Sequence, residues 1–188
     1  AAMTRIFGHD AHFQSFAKAM ASGRLHHGWI LAGPRGVGKA GFAQEAARML
    51  VDPENRYASM VDHHTHPDII WVQRLPKEAP KEGESADPDA ELKRSIAIDQ
   101  IRSVQHSLTT RPSMGPKRVV IIDAADDLER GGANALLKSL EEPPVGTYFM
   151  LVSHASDRLL PTIRSRCQVM RFEALGDAEM QQALLQAL

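Results

Sequence analysis

"GPRGVGKAGF", residues 33–42, decides how the rest of the chain is read. It follows a short apolar run, "GWILAG" (28–33), which reads as a buried strand. It opens a stretch, about 38 to 50, in which Phe42, Ala46, Met49 and Leu50 share one helical face. Strand, glycine-rich turn and helix in that order frame a phosphate-binding loop, with the pattern G-x-x-x-x-G-K-[ST]. Gly33, Gly38 and Lys39 occupy their places, with Gly36 between them. Glycines let the backbone aim N–H groups at phosphate oxygens, and the helix N-terminus adds partial positive charge. Lys39 would reach the outer phosphates. The hydroxyl expected next, a Mg²⁺ ligand, is replaced by Ala40. A glycine-rich turn without a ligand is the competing reading.

"VVIIDAAD" (119–126) supplies the second half of such a site. Its apolar residues bury a strand, and Asp123 emerges at the carboxyl end, where a carboxylate holds Mg²⁺ through water. The residue after it is usually a glutamate that polarises the attacking water. Here it is Ala124, and a methyl group neither accepts a proton nor orients a water. Asp126 lies two positions further and reads as a solvated turn acid or a helix cap. With both the hydroxyl and the glutamate missing, the expectation is a chain that does not turn over nucleotide.

The remaining pattern extends the same architecture. Further strands are expected at 66–73, 147–153 and 167–172, with the strongest pattern at 117–126. Helices are expected at 10–22, 96–108, 131–144 (stopped by Pro143-Pro144), 157–166, and 177–188 with Asp177 as N-cap. Alternating strands and helices predict an α/β fold with a five-stranded parallel sheet between helices, spanning residues 1–175. Residues 74–94 are proline-rich, charged and nearly free of apolar side chains, and read as a surface loop or insertion.

Composition narrows the function classes. Among 188 residues, 43% are hydrophobic, enough for a packed core. A formal charge of −1 and only 5% aromatic residues argue against general polyanion binding and against a stacking platform for single strands. Cys167 is the single cysteine, which excludes an internal disulfide and suits a reducing, cytoplasmic setting. No apolar run approaches the ~18 residues of a membrane span. "DHHTHPD" (62–68) gathers His63, His64 and His66 with Asp62 and Asp68. Adjacent histidines project differently and no thiolate is near, so a solvated loop is expected in place of a zinc site. "PTIRSRCQ" (161–168) places Arg166 between a short helix and the last strand. An arginine there can reach a neighbouring subunit's phosphates, although a lone surface arginine is ordinarily just solvated.

In order along the chain, "GRLHHGWILAGPRGVGK", "VVIIDAADDL", "NALLKSLEEPP" and "LLPTIRSRC" resemble AAA+ clamp-loader subunits. The degenerate site resembles the delta-prime type from bacterial DNA polymerase III. Gamma subunits keep a threonine after the loop lysine and a glutamate after the strand aspartate. The resemblance implies a non-hydrolysing subunit that gives Arg166, framed by Ser165 and Cys167, to the ATP site of an adjacent gamma/tau subunit. It implies gamma/tau and delta subunits as partners, with the sliding clamp and primed DNA met through the assembled complex, and no membrane. It puts the sensor-1 position, usually Asn or Thr, on His154. It implies a helical lid beginning at 176–188 and further domains beyond. No cofactor is required on this reading. Two alternatives stay open: an active ATPase, and an inert switch that holds ATP or ADP without cutting it.

Overall fold

The computed structural model describes residues 9–174 together with Leu184 and Leu185. Five parallel strands form one sheet: β1 (Gly28–Ala32), β2 (Ile69–Gln73), β3 (Arg118–Asp123), β4 (Thr147–Ser153) and β5 (Gln168–Arg171). Their spatial order is β2-β3-β4-β1-β5. Six helices are described: α1 (Asp10–Ala21), α2 (Lys39–Val51), α3 (Ala58–Asp62), α4 (Ile98–Ser107), α5 (Arg130–Glu141) and α6 (Pro161–Arg164).

The strands read as continuous apolar runs because both sheet faces are covered. Alternation sends Val119 and Ile121 to one face, where Phe16 of α1 and Phe42, Ala46 and Leu50 of α2 pack. It sends Val120 and Ile122 to the other, against Ile101 and Val104 of α4 and Leu136 and Leu140 of α5. The α/β architecture is therefore the expected one. Among the described residues no helix is long and apolar enough to cross a membrane.

Four local expectations change. β2 starts at Ile69, not residue 66, because the residues before it are committed to a turn. The Asp68 N–H donates to His66 Nδ1 (3.1 Å), and the Asp68 carboxylate accepts from Ser113 N (2.6 Å) and Met114 N (2.8 Å). The strand expected at 117–126 stops at Asp123, where Ala125–Asp127 close into a 3-10 turn. The segment expected at 157–166 divides into a 3-10 turn, Ser156–Arg158, and α6, with Pro161 at the helix start. Residues 74–94 are largely exposed, as expected of a surface insertion, but their arms are paired. Pro76 bridges Leu92 antiparallel, Lys77 N donates to Glu91 O (2.8 Å), and Lys93 N donates to Leu75 O (2.8 Å). The expected helix at 177–188, its cap Asp177 and the domain division at 176 lie outside the described residues.

Asp68 is 1% exposed, and its two charge-assisted, part-buried bonds hold the turn before β3 against the start of β2. Asp68→Ala is expected to cost about 2 kcal/mol in urea unfolding, because two part-buried N–H groups lose a charged acceptor. A loss of a few tenths would contradict this account of the turn.

Candidate functional site

The carboxyl ends of β1, β3 and β4 converge on one rim of the sheet. β1 runs into the glycine loop at Ala32. The loop's entry is fixed from both sides: Gly33 N donates to Ser153 O (3.2 Å), and Phe172 N donates to Ala32 O (2.7 Å). A side chain at Gly33 has no room, since its Cβ would stand 2.4 Å from Phe172 O. Gly38 ends the loop at φ 90° as the N-cap of α2, a conformation that excludes most residues. The first turn of α2 carries no acid, so its free N–H groups keep their attraction for an anion.

Lys39 is buried, 3% exposed, and its ammonium donates to Gly33 O and to Pro34 O (2.6 Å). Burial lowers its pKa, Asp126 and Asp123 push it back up, and Arg35 adds to the lowering. Asp123 sits half-buried at the end of β3, paired in register with Val152. Lys39, Asp123 and the loop glycines are thus brought together as expected. Ala40 and Ala124 give the rim methyl groups where a hydroxyl and a carboxylate would serve Mg²⁺ and water. Ala124 is 3% exposed and brings only a methyl group. The residues present fit a phosphate, and Asp123 is a carboxylate at the same rim, while Ala40 and Ala124 offer a metal or a water nothing.

Asp126 corrects its sequence reading. It is a half-buried turn acid with structural partners: its carboxylate accepts from Ser153 Oγ (2.6 Å) and from His154 N (2.6 Å). It therefore ties the end of β3 to the end of β4. His154 stands at the rim, with Nδ1 buried and unpartnered among the described residues. A cleft of about 820 Å³ opens here, lined by Arg35, Asp126, Arg130, His154, Asp157 and Arg158 among others.

Burial lowers the His154 pKa, the charges of Lys39 and Arg35 lower it further, and Asp126 and Asp123 oppose them. His12 and His64 shift downward too, both chiefly through burial. Below the ordinary value of 6.5 such groups bind fewer protons folded than unfolded, so stability is intact above it and falls as pH drops through it. The unfolding midpoint is expected to fall between about pH 7 and about pH 5, and His154→Gln is expected to remove part of that fall. A flat wild-type profile would contradict it.

Sequence reasoning missed His9. Its Nε2 lies 2.5 Å from Val37 O of the loop, and its ring meets Phe172 edge-on at 4.7 Å. It is 2% exposed. No local pattern marks it, because both partners are distant in sequence.

Arg166 lies elsewhere. It precedes β5, whose Gln168 pairs with Trp29 near the start of β1, so it occupies the amino rim of the sheet. A five-residue strand, about 16 Å long, separates that rim from the loop. The Arg166 side chain is 52% exposed and meets Glu141 Oε1 at 3.4 Å. Its neighbours fix its base. Ser165 Oγ donates to Thr162 O (3.0 Å), closing α6, and Cys167 packs inward so closely that a Cβ on Gly28 would stand 3.1 Å from its Sγ. Burial pushes the Cys167 thiol up to about 12, which keeps it protonated and inert.

The three clustered histidines diverge. His63 Nδ1 lies 2.7 Å from Ser59 O, His64 stacks on Trp71 at 4.0 Å, and His66 is buried beside Tyr57. Among the described residues no group of His, Cys, Asp and Glu is placed to hold a metal ion.

The family described as "DNA polymerase III, delta subunit" matches residues 8–176. DNA polymerase III subunit delta' from Pseudomonas aeruginosa is 35% identical over 150 residues, covering 75% of this chain and 41% of that protein. The gamma subunit from Buchnera aphidicola subsp. Schizaphis graminum is 28% identical over 176 residues, covering 94% and 46%. The chain thus spans less than half the length of these curated relatives. The Thermotoga maritima RuvB Holliday junction branch migration motor superposes with a TM-score of 0.56 at 16% identity, covering 96% of this chain and 50% of that one. That likeness carries the fold, an α/β P-loop arrangement. The family match spans the loop, the strand aspartate and the arginine at the amino rim, and the chain belongs to the DNA polymerase III delta-subunit family.

Proposed function

We propose that this chain serves as a non-hydrolysing clamp-loader subunit of the delta-prime type, whose Arg166 completes the ATP site of an adjacent gamma/tau subunit. The observation that carries the reading is the separation of the two halves of the chemistry. The chain's own loop lacks the groups that cut, at Ala40 and Ala124, while its exposed arginine faces away from that loop on the opposite rim. A guanidinium so placed serves a site outside this chain. It would stabilise charge on transferring phosphate oxygens through planar, bidentate donation. The parallel sheet holds the α6–β5 junction rigid, so the arginine enters its neighbour's site from a fixed platform.

A second reading of the loop itself is favoured by its conformation. Gly36 and Gly38 have positive φ, and the start of α2 offers free N–H groups, so phosphate can be held without being cut. Calorimetry with ADP on wild type and Lys39→Ala tests it. A heat of binding lost in the variant supports it, and none in wild type removes it.

The main proposal is tested by reconstitution. Full-length subunit is added to gamma/tau and delta subunits with primed DNA and sliding clamp. ATP turnover is expected to rise, and to rise as much with Lys39→Ala, because the loop lysine does no cutting. No rise with wild type contradicts the proposal.

A further inference from the structure

The turn that feeds β4 carries the most exposed large apolar side chain among the described residues. Val145 is 99% exposed, although its backbone is closely held. Pro143 and Pro144 fix φ ahead of it, and Thr147 N donates to Pro144 O (3.1 Å) to close a turn. Gly146 takes φ 77° at the third place of that turn, as type II geometry requires, and Val145 stands at the second. A Cβ on Gly146 would meet Pro116 O at 2.3 Å, and Arg118 N donates to Gly146 O (2.9 Å). The turn is thereby fastened to the loop before β3 and to β3 itself. Proline is common at the second place of such a turn, so the backbone makes no demand for valine there. A rigid turn thus holds an apolar side chain out in water with no use for it inside the fold.

Beside the turn lies a hollow of about 450 Å³, walled by Leu25, His26, His27, Pro143, Pro144 and Tyr148 among others. Tip and hollow belong to the rim that bears Arg166. His27 Nε2 lies 2.9 Å from Leu140 O, and a Cβ on Gly28 would stand 3.3 Å from Leu140 Cδ2 and 3.4 Å from Arg166 O. Arg166 itself meets Glu141, which Glu142 alone separates from Pro143. In the sheet only β1 lies between β4 and β5, so the starts of these two strands are about 10 Å apart. A stable interface buries roughly 800 Å² on each partner, far more than one half-exposed arginine supplies. A subunit that receives Arg166 must therefore cover surface around it, and the turn and hollow are the apolar surface adjoining it on the same rim.

We propose that Val145 and the adjoining hollow dock on the neighbouring subunit that receives Arg166, with Val145 seated in an apolar socket beside that subunit's ATP site. The identity of the partner rests on the finger role of Arg166. The division of labour is then clear: Arg166 supplies charge to the neighbour's phosphates, and the turn supplies a desolvated apolar contact that holds the two rims in register. The matching surface is a dry pocket bordered by polar groups, since a fully exposed valine gains most where water is excluded.

A benzophenone photo-crosslinker in place of the Val145 side chain of the full-length subunit, assembled with gamma/tau and delta subunits and irradiated, is expected to yield an adduct with gamma/tau. Val145→Asp puts a charge into the contact and is expected to raise the Kd for the gamma/tau–delta assembly at least about tenfold, read by anisotropy of the labelled subunit, with an unchanged unfolding midpoint. Val145→Ile keeps a branched apolar tip and is expected to hold Kd within about twofold. Arg166→Ala is expected to leave the adduct in place, because the tip makes that contact and the finger does not. No adduct, an adduct with delta alone, or a Kd that Val145→Asp does not move overturns the docking surface and leaves Arg166 to its own turnover measurement. A gamma/tau adduct in a complex whose turnover survives Arg166→Ala supports the docking surface and removes the finger.

Discussion

Arg166→Ala in the full-length subunit is expected to slow hydrolysis at the adjoining ATP site by about 10³-fold or more, the range for loss of an arginine finger. The side chain is half exposed and, among the described residues, meets only Glu141, at 3.4 Å, so this contact restrains it little from extending into a partner. Its backbone, by contrast, is fixed between the closed end of α6 and the inward-packed Cys167. Position is thus provided by the fold and reach by the side chain. Arg166→Lys is expected to recover little, because an ammonium lacks the planar fork that spans two oxygens. In a rapid-quench experiment on the assembled complex, the burst should shrink by the share of a single site. Stability of the isolated subunit should move by no more than about 0.5 kcal/mol, as for other exposed positions. A full burst from Arg166→Ala would remove the finger assignment.

Phe42→Ala is expected to cost about 4 kcal/mol, at the upper end for large-to-small changes in a core. Phe42 has no exposed surface and joins α2 to everything around it. Its ring lies 4.4 Å from that of Phe13, 5.1 Å from Phe172 and 6.3 Å from both Phe16 and His12. It therefore couples the helix behind the glycine loop to α1 and to the end of β5. Removing it opens a cavity in a cluster whose other members are held by backbone elements and cannot collapse inward. Urea unfolding with an unchanged slope would report the loss as stability alone. A cost under about 1 kcal/mol would show that α2 is anchored elsewhere.

The parts of this molecule that were legible in sequence are those whose cause is local. β1, the loop and α2 follow from an apolar run, three glycines and a helical stripe within about twenty residues. β3 is legible because burial on both faces demands a continuous apolar strand. Arg166 was legible as the residue before the last strand, but its place on the rim opposite Lys39 emerges only from the pairing of β5 with β1. What escaped has partners far along the chain. Asp126 looks like a solvated turn acid until β4 arrives 27 residues later to give it the Ser153 hydroxyl. His9 acquires meaning only through Val37 and Phe172, and the pairing of Asp68 only through Ser113 and Met114. The paired arms of the 74–94 insertion rest on backbone bonds and one Lys77–Glu91 contact, so no hydrophobic period announced them. α3 has five residues, too few for a stripe to repeat.

The central claim is that nucleotide is not cut at this chain's own loop. The most direct test is ATP turnover by the purified full-length subunit alone, with Mg²⁺ present. The account predicts no hydrolysis above the rate in buffer, in wild type and in Lys39→Ala alike. Turnover of about 1 per second, an ordinary enzymatic rate, that disappears in Lys39→Ala would contradict it.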